Sequence, residues 1–268
     1  MSDRLVFLKL GGSLITEKNL PHTVRMEVLE RLALEIAEAR AQDQALQIVL
    51  GHGSGSFGHV PASKYKTRLG VKSAEEWAGF VEVWREAAGL NHLVMQALEK
   101  AGLPALSLPP SAMVTAHLGK VATWELGTLR YALDRGLLPV IFGDVAFDSA
   151  LGGTILSTED LFAYLVTQLP PSQLLFAGNQ EGVWADFPEN TKLLAEITPH
   201  SFKQIDIRLQ GSTATDVTGG MADKVRQVMA MVEASPGLRG LIFSGEVPGN
   251  VRKALLGETL GTAIHCQD

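Results

Sequence analysis

The chain has 268 residues, 46% of them hydrophobic and 19% charged, which is enough apolar content to bury one large α/β unit or two joined lobes and too much for a disordered chain. Its 23 Lys and Arg against 29 Asp and Glu leave a net charge of −6; with no block of Lys or Arg, this excludes nucleic acid or an anionic membrane surface as the main partner. The single cysteine, Cys266, can form neither an internal disulfide nor a thiolate metal cluster. The first apolar run meets Lys9 too early for a signal peptide, and no later run approaches the roughly 18 apolar residues of a spanning helix. These features read as a soluble cytoplasmic protein.

Leucine-rich or β-branched runs at 5–10, 46–50, 105–108, 138–142, 173–177 and 240–244 predict buried strands. Continuous apolar strands suit a parallel sheet covered on both faces. Between them, Val28, Leu29, Leu32 and Ile36 recur at helical spacing, and Ser73 with Glu76 predicts a capping box opening a helix that runs on towards Ala101. Residues 144–155, with Gly152 and Gly153 between apolar neighbours, read as a β-hairpin. Leu161, Leu165 and Leu169 place another helix after Asp160. This alternation predicts an open αβα sandwich with a mostly parallel central sheet. Pro170 and Pro171 stop the last helix and mark a seam between residues 1–169 and residues 170–268.

Glycine clusters follow Lys9 (Gly11, Gly12, then Ser13), run from Gly51 to His59 (including Gly53, Ser54, Gly55, Ser56 and Gly58), and precede Lys224 (Gly219, Gly220). Glycine lets a backbone approach a ligand closely, and N–H groups at a helix start bind anionic oxygen. Together the clusters point to a polyphosphate site, although a tight turn would explain any one alone. Gly219 and Gly220 fall in a predicted first helical turn, where each costs about 1 kcal/mol relative to alanine; a close ligand or a neighbouring backbone would account for both. Lys9 lies inside an apolar strand and needs a buried partner. Gly53, Gly55 and Gly58 also fit G-x-G-x-x-G, with Glu75 or Glu76 roughly 20 residues on. Those acids sit at a predicted helix start, and Pro61 falls where the crossover helix should run, so a dinucleotide oxidoreductase ranks second.

Taken in order, Lys9-Leu-Gly-Gly-Ser13, the loop 51–59, Ile155-Leu-Ser-Thr-Glu-Asp160, Gly178-Asn-Gln-Glu-Gly-Val183 and Asp216-Val-Thr-Gly-Gly-Met-Ala-Asp-Lys224 resemble motifs of the amino acid kinase superfamily over nearly the whole chain. The stretch from Gly11 to Lys18, Ser56-Phe-Gly-His59 and the ending from Phe243 to Asn250 are most similar to its isopentenyl phosphate kinase family. The resemblance implies phosphorylation of isopentenyl phosphate by ATP to isopentenyl diphosphate, in an alternative mevalonate route, with Mg²⁺ carried by the ATP phosphates and no dedicated protein metal ligands. It implies a homodimer, an acceptor lobe at 1–169 and a nucleotide lobe at 170–268. Lys9, Lys18 and Lys224 would neutralise the transferring group, with Asp160 organising them. Gly53, Ser54, Gly55, His59, Gly152 and Gly153 would hold the acceptor, His59 through a charge-assisted hydrogen bond. Lys9, Gly11, Gly12, Ser13, Gly55, Asn179, Gly182, Gly219, Gly220 and Lys224 would hold ATP.

The stripe Phe80, Val83, Trp84 and Leu90 would wall the isoprenoid tail, and His52 reads as a packing residue. The chain departs from the family pattern in two places: Ser157-Thr-Glu-Asp160 stands where Ser-Gly-Asp-Asp is frequent, and 178–183 lacks the frequent Thr-Asp-Val-Asp-Gly-Val. The alternatives are other kinases of the superfamily acting on aspartate, acetylglutamate, glutamate, UMP or a phosphonate, and a non-catalytic nucleotide sensor.

Overall fold

The computed structural model describes residues 4–17, 19–186, 189–203 and 220–266, with backbone alone at 59–61. Its strands are β1 (Arg4–Leu10), β2 (Leu46–His52), β3 (Ala105–Ser107), β4 (Val114–His117), β5 (Lys120–Trp124), β6 (Leu138–Phe142), β7 (Asp144–Asp148), β8 (Gly152–Leu156), β9 (Gln173–Gly178), β10 (Val183–Trp184), β11 (Leu193–Leu194), β12 (Glu196–Ile197), β13 (Arg239–Ser244) and β14 (Thr262–Ile264). The helices used below are α1 (Gly12–Ile15), α2 (Met26–Gln42), α3 (Gly55–Tyr65), α4 (Ala74–Lys100), α5 (Pro110–Met113), α6 (Gly127–Asp134), α7 (Thr158–Gln168), α8 (Gly220–Ala234) and α9 (Asn250–Leu255).

The main sheet runs β12-β14-β13-β9-β1-β2-β6-β3, parallel except where β14 meets β13. Each run predicted as a buried strand lies in it. Strand β1 pairs with β2 on one side and β9 on the other, so the sheet continues across Pro170 and Pro171. Side chains alternate across a strand. Val6, Leu8 and Leu10 therefore pack under α2, α4 and α9, while Phe7 packs with Leu161, Phe162 and Leu165 of α7 and Val225 and Val228 of α8. The two apolar layers make the αβα sandwich. Strands β7 and β8 form the hairpin predicted at 144–155, within a second sheet ordered β5-β4-β7-β8. The Ser73–Glu76 capping box opens α4, and Ser157 with Asp160 forms another at α7.

Because the sheet is parallel, the turns after β1, β2, β9 and β13 emerge at one edge. Glu35 of α2, 5% exposed, holds the last of these turns in place. Its carboxylate accepts from the backbone N–H groups of Gly249 (2.9 Å), Val251 (2.9 Å) and Arg252 (3.3 Å), and from Arg31 (2.6 Å). It caps α9 from another helix and satisfies donors that α9 leaves open. Glu35→Ala is expected to lower the unfolding free energy by about 3 kcal/mol, because buried donors and the Arg31 charge lose their partner. Urea denaturation checks this; a loss below about 1 kcal/mol would show that solvent replaces the carboxylate.

Candidate active site

The centre of the site follows from strand parity. Lys9, 9% exposed, shares the face of Phe7 and points at α7 and α8. Its register neighbours are Gly51 on β2 and Phe176 on β9. A Cβ at Gly51 would lie 2.4 Å from the Thr158 methyl and 2.9 Å from the Phe162 ring. The bare glycine thus lets the first turn of α7 settle on the sheet beside Lys9. There Glu159, 8% exposed, forms a buried ion pair with the Lys9 ammonium.

Burial pushes the Glu159 carboxyl up, but Lys9, its own backbone N–H and the charge of Lys224 together bring its pKa below the ordinary carboxylate value. Lys224, the fifth residue of α8, reaches over the end of β9; a Cβ at Gly178 would lie 3.9 Å from its ammonium nitrogen. Two lysines far apart in sequence thus act on one carboxylate, Lys9 by direct contact and Lys224 through its charge.

That carboxylate is Glu159, and the expectation that Asp160 organises the lysines is corrected. Asp160 occupies the third position of α7, where its side chain folds back. It accepts from the Ser157 backbone N–H (2.8 Å) and hydroxyl (2.7 Å), and pairs with Arg68 at 3.0 Å. Its capping geometry turns it away from the sheet, whereas the preceding residue faces Lys9. Sequence reasoning missed Glu159. A signal was available, since Lys9 demanded a buried partner and two adjacent acids opened the same helix.

The first two glycine turns touch backbone to backbone. A Cβ at Gly12 would lie 2.4 Å from the Gly55 nitrogen, and one at Gly53 would lie 2.8 Å from the Gly12 nitrogen. Gly55 also has φ +48° and would strike the Thr16 hydroxyl at 2.1 Å. Gly11 packs on the end of β9, its N–H donating to Ala177 at 2.8 Å, and Asn179 donates to the Ser13 carbonyl at 3.0 Å. These residues form one continuous floor. Ser54 occupies the N-cap position of α3 without a side-chain capping bond, and the Thr16 hydroxyl accepts from the Ser56 N–H at 3.0 Å. The Ser56 hydroxyl, on a residue 7% exposed, has no hydrogen-bond partner among the described residues. An unpaired buried hydroxyl beside an eleven-residue helix start fits an anionic oxygen.

Packing also constrains other predicted site residues. A Cβ at Gly152 (φ +81°) would meet the Val71 carbonyl at 2.1 Å, one at Gly153 the Phe80 ring at 2.9 Å, and one at Gly182 the Thr262 hydroxyl at 2.6 Å. Gly220 has φ +60°, a backbone state that favours glycine. The predicted tail wall divides: Leu90 belongs to the α2 side of the core, Phe80 and Val83 join Val71 and Val145 in a separate cluster, and Trp84 is 43% exposed. Lys18, Gly219 and the His59 side chain lie outside the described residues. Among the described residues, no group of three or more His, Cys, Asp or Glu could hold a metal ion, and no helix is long and apolar enough to cross a membrane. Glu76 is used in its capping box, which removes one of the acids that the dinucleotide reading needs.

His52 is buried and stacks on Phe142 at 5.3 Å between ring centres. Its imidazole pKa is pushed down to about 4, first by burial and further by Lys9, against the opposing hydrogen bond to Gly53. The unfolded chain protonates this group below about pH 6.5. Stability is therefore complete above that pH and is lost as pH falls towards about 4, where the folded state takes up the proton. His52→Asn is expected to remove about 1.4 kcal/mol per pH unit from the slope of unfolding free energy within that window. Urea titrations across the window measure it, and an unchanged slope would contradict a neutral buried imidazole.

The amino acid kinase family model matches residues 4–244. The isopentenyl phosphate kinase of Methanocaldococcus jannaschii is 35% identical over 268 residues, covering 97% of this chain and 98% of that protein. The isopentenyl phosphate kinase of Methanothermobacter thermautotrophicus is 35% identical over 271 residues, with the same coverage of 97% and 98%. A crystal structure of isopentenyl phosphate kinase superposes with a TM-score of 0.81 at 30% identity, covering 97% of this chain and 100% of that one. Carbamate kinase from Giardia lamblia bound to AMP-PNP shares the fold at a TM-score of 0.70 and 16% identity, with 99% of each chain covered.

Proposed function

This chain belongs to the amino acid kinase family and to its isopentenyl phosphate kinase branch, and we propose on that premise that it transfers the γ-phosphoryl group of ATP to isopentenyl phosphate, giving isopentenyl diphosphate and ADP. The observation that carries this reading is the meeting of Lys9, Glu159 and Lys224 at the edge where the glycine turns emerge. A phosphate oxygen of the acceptor is already ionised, so its attack on the γ-phosphorus needs no general base. As that bond forms, the bond from the γ-phosphorus to the bridging oxygen breaks, and ADP leaves with the electron pair. The site's task is to bring two polyanions together and to neutralise charge during transfer.

Lys9 and Lys224 supply fixed positive charge, and Glu159 keeps Lys9 ionised and aimed. The turn at Gly53–Ser56, with the Ser56 hydroxyl and the start of α3, takes the acceptor phosphate, and His59 is assigned to it from the sequence motif alone. Lys18, outside the described residues, is assigned to the transferring group from the sequence motif alone. The turn at Gly11–Ser13, with Asn179 and Gly220, takes the ATP phosphates, and Gly219 is assigned to them from the sequence alone. Glu159, the carboxylate at the centre, is committed to Lys9, so Mg²⁺ would enter with ATP rather than on protein carboxylates and would add to the charge neutralisation. In this reading residues 1–169 serve the acceptor and 170–268 the nucleotide. The apolar cluster of Val71, Phe80, Val83 and Val145 lies beyond Gly153 and is where the tail would end. We place the enzyme in the cytoplasm as a homodimer; the free Cys266 suits a reducing compartment, and exposed Val81 and Trp84 on α4 offer apolar surface.

A coupled ADP-release assay offering isopentenyl phosphate, dimethylallyl phosphate, UMP, aspartate and acetylglutamate tests the reading. Turnover is expected with isopentenyl phosphate, reduced by at least about a hundredfold in Lys9→Ala and Lys224→Ala with circular dichroism unchanged. Turnover on UMP or an amino acid alone would overturn the acceptor, and full activity of either variant would overturn the charge roles.

A further inference from the structure

We propose that His52 is a positioning residue of the acceptor site, holding the Gly53 carbonyl and through it the glycine turn, while tying that turn to α4. The proposal rests on the acceptor assignment above and adds a residue to it. The hydrogen bonds can run in only one direction. A carbonyl oxygen accepts, so the Nδ1 of His52, 3.1 Å from the Gly53 oxygen, carries the proton. In the neutral ring Nε2 is then an acceptor, and it lies 3.1 Å from the amide nitrogen of Asn91. The Asn91 oxygen in turn accepts from the Ser107 hydroxyl at 2.6 Å. Each polar atom in the chain Ser107–Asn91–His52–Gly53 is matched to its neighbour, and Asn91 is 6% exposed. A fully satisfied buried network of this kind specifies one arrangement.

The position of His52 gives that arrangement its meaning. The backbone carbonyl of His52 accepts from the Thr158 hydroxyl at 2.6 Å and from the Gly143 N–H at 3.2 Å. Thr158 immediately precedes Glu159, the partner of Lys9. The Gly53 N–H donates to Leu10 at 3.0 Å, and the Gly53 backbone lies against Gly12. One residue therefore joins the acceptor turn to the helix that bears Glu159, and its ring joins that turn to α4, which carries Phe80 and Val83. Rotation of the Gly53 peptide would re-aim the N–H groups at the start of α3 without disturbing Lys224.

The test is steady-state kinetics of the full chain with separate KM values for isopentenyl phosphate and ATP, together with nitrogen-15 NMR of the histidine rings. His52→Leu is expected to raise the isopentenyl phosphate KM by about tenfold and the ATP KM by less than about twofold, because an orphaned buried carbonyl turns away. In His52→Asn the side-chain amide reaches the same carbonyl, and this variant is expected to restore the acceptor KM to within about threefold of wild type. In the wild-type spectrum His52 shows a protonated Nδ1 and a bare Nε2 at neutral pH. If His52→Leu fails to fold, Ser107→Ala, which removes only the outer hydroxyl, is read instead and raises the acceptor KM alone. Equal rises in both KM values, an unchanged acceptor KM, or the opposite tautomer would overturn the proposal. A wild-type chain inactive on isopentenyl phosphate would overturn the functional reading itself, which the NMR result does not depend on.

Discussion

A cation buried at the end of a central parallel strand must be neutralised, and the geometry of this protein's site follows from how that is done. Lys9 is flanked by strands on both sides, is only 9% exposed, and faces the first turn of α7. Its partner has to be brought from the covering layer. The absence of a side chain at Gly51 allows the first turn of α7 to approach, and Glu159 arrives with it. The residue that solves the burial problem also leaves a fixed ammonium at the edge of the sheet. Such an arrangement is worth little as a source of stability and much as a preorganised charge.

The parallel topology does the rest. Turns that leave β1, β2, β9 and β13 in the same direction arrive side by side, so segments widely separated in sequence share one rim. The first two turns are in backbone contact, which only glycine permits, and Thr16 hydrogen-bonds the Ser56 N–H. Arg25 links the same rim to the turn after β13, contacting Glu246 through two nitrogens and the Leu14 carbonyl at 3.1 Å. The floor that would receive phosphates is thus held from several elements at once, in keeping with a reaction in which positioning and charge do most of the work.

Local features of the molecule were legible in the sequence. Apolar runs became strands, and Ser73 with Glu76 became a capping box, because each depends on residues within a turn or a strand of one another. The choice between Glu159 and Asp160 was not legible. Both acids open the same helix, and what distinguishes them is which side of α7 faces a strand whose lysine lies 150 residues earlier. Gly152, Gly153 and Gly182 read as ligand glycines, and the crowding of each by Val71, Phe80 or Thr262 is a tertiary contact that spacing in the sequence does not show. His52 looked like a packing residue and is one, but the direction of its hydrogen bonds depends on Asn91 and Ser107, which no spacing in the sequence connects to it.

The most direct measurement is a crystal structure with a non-hydrolysable ATP analogue and isopentenyl phosphate bound together. The account predicts the γ-phosphate between the ammonium groups of Lys9 and Lys224, with Glu159 still on Lys9 and the acceptor phosphate over the Gly53–Ser56 turn. Phosphates bound away from the glycine turns, or a γ-phosphate touching neither lysine, would contradict it.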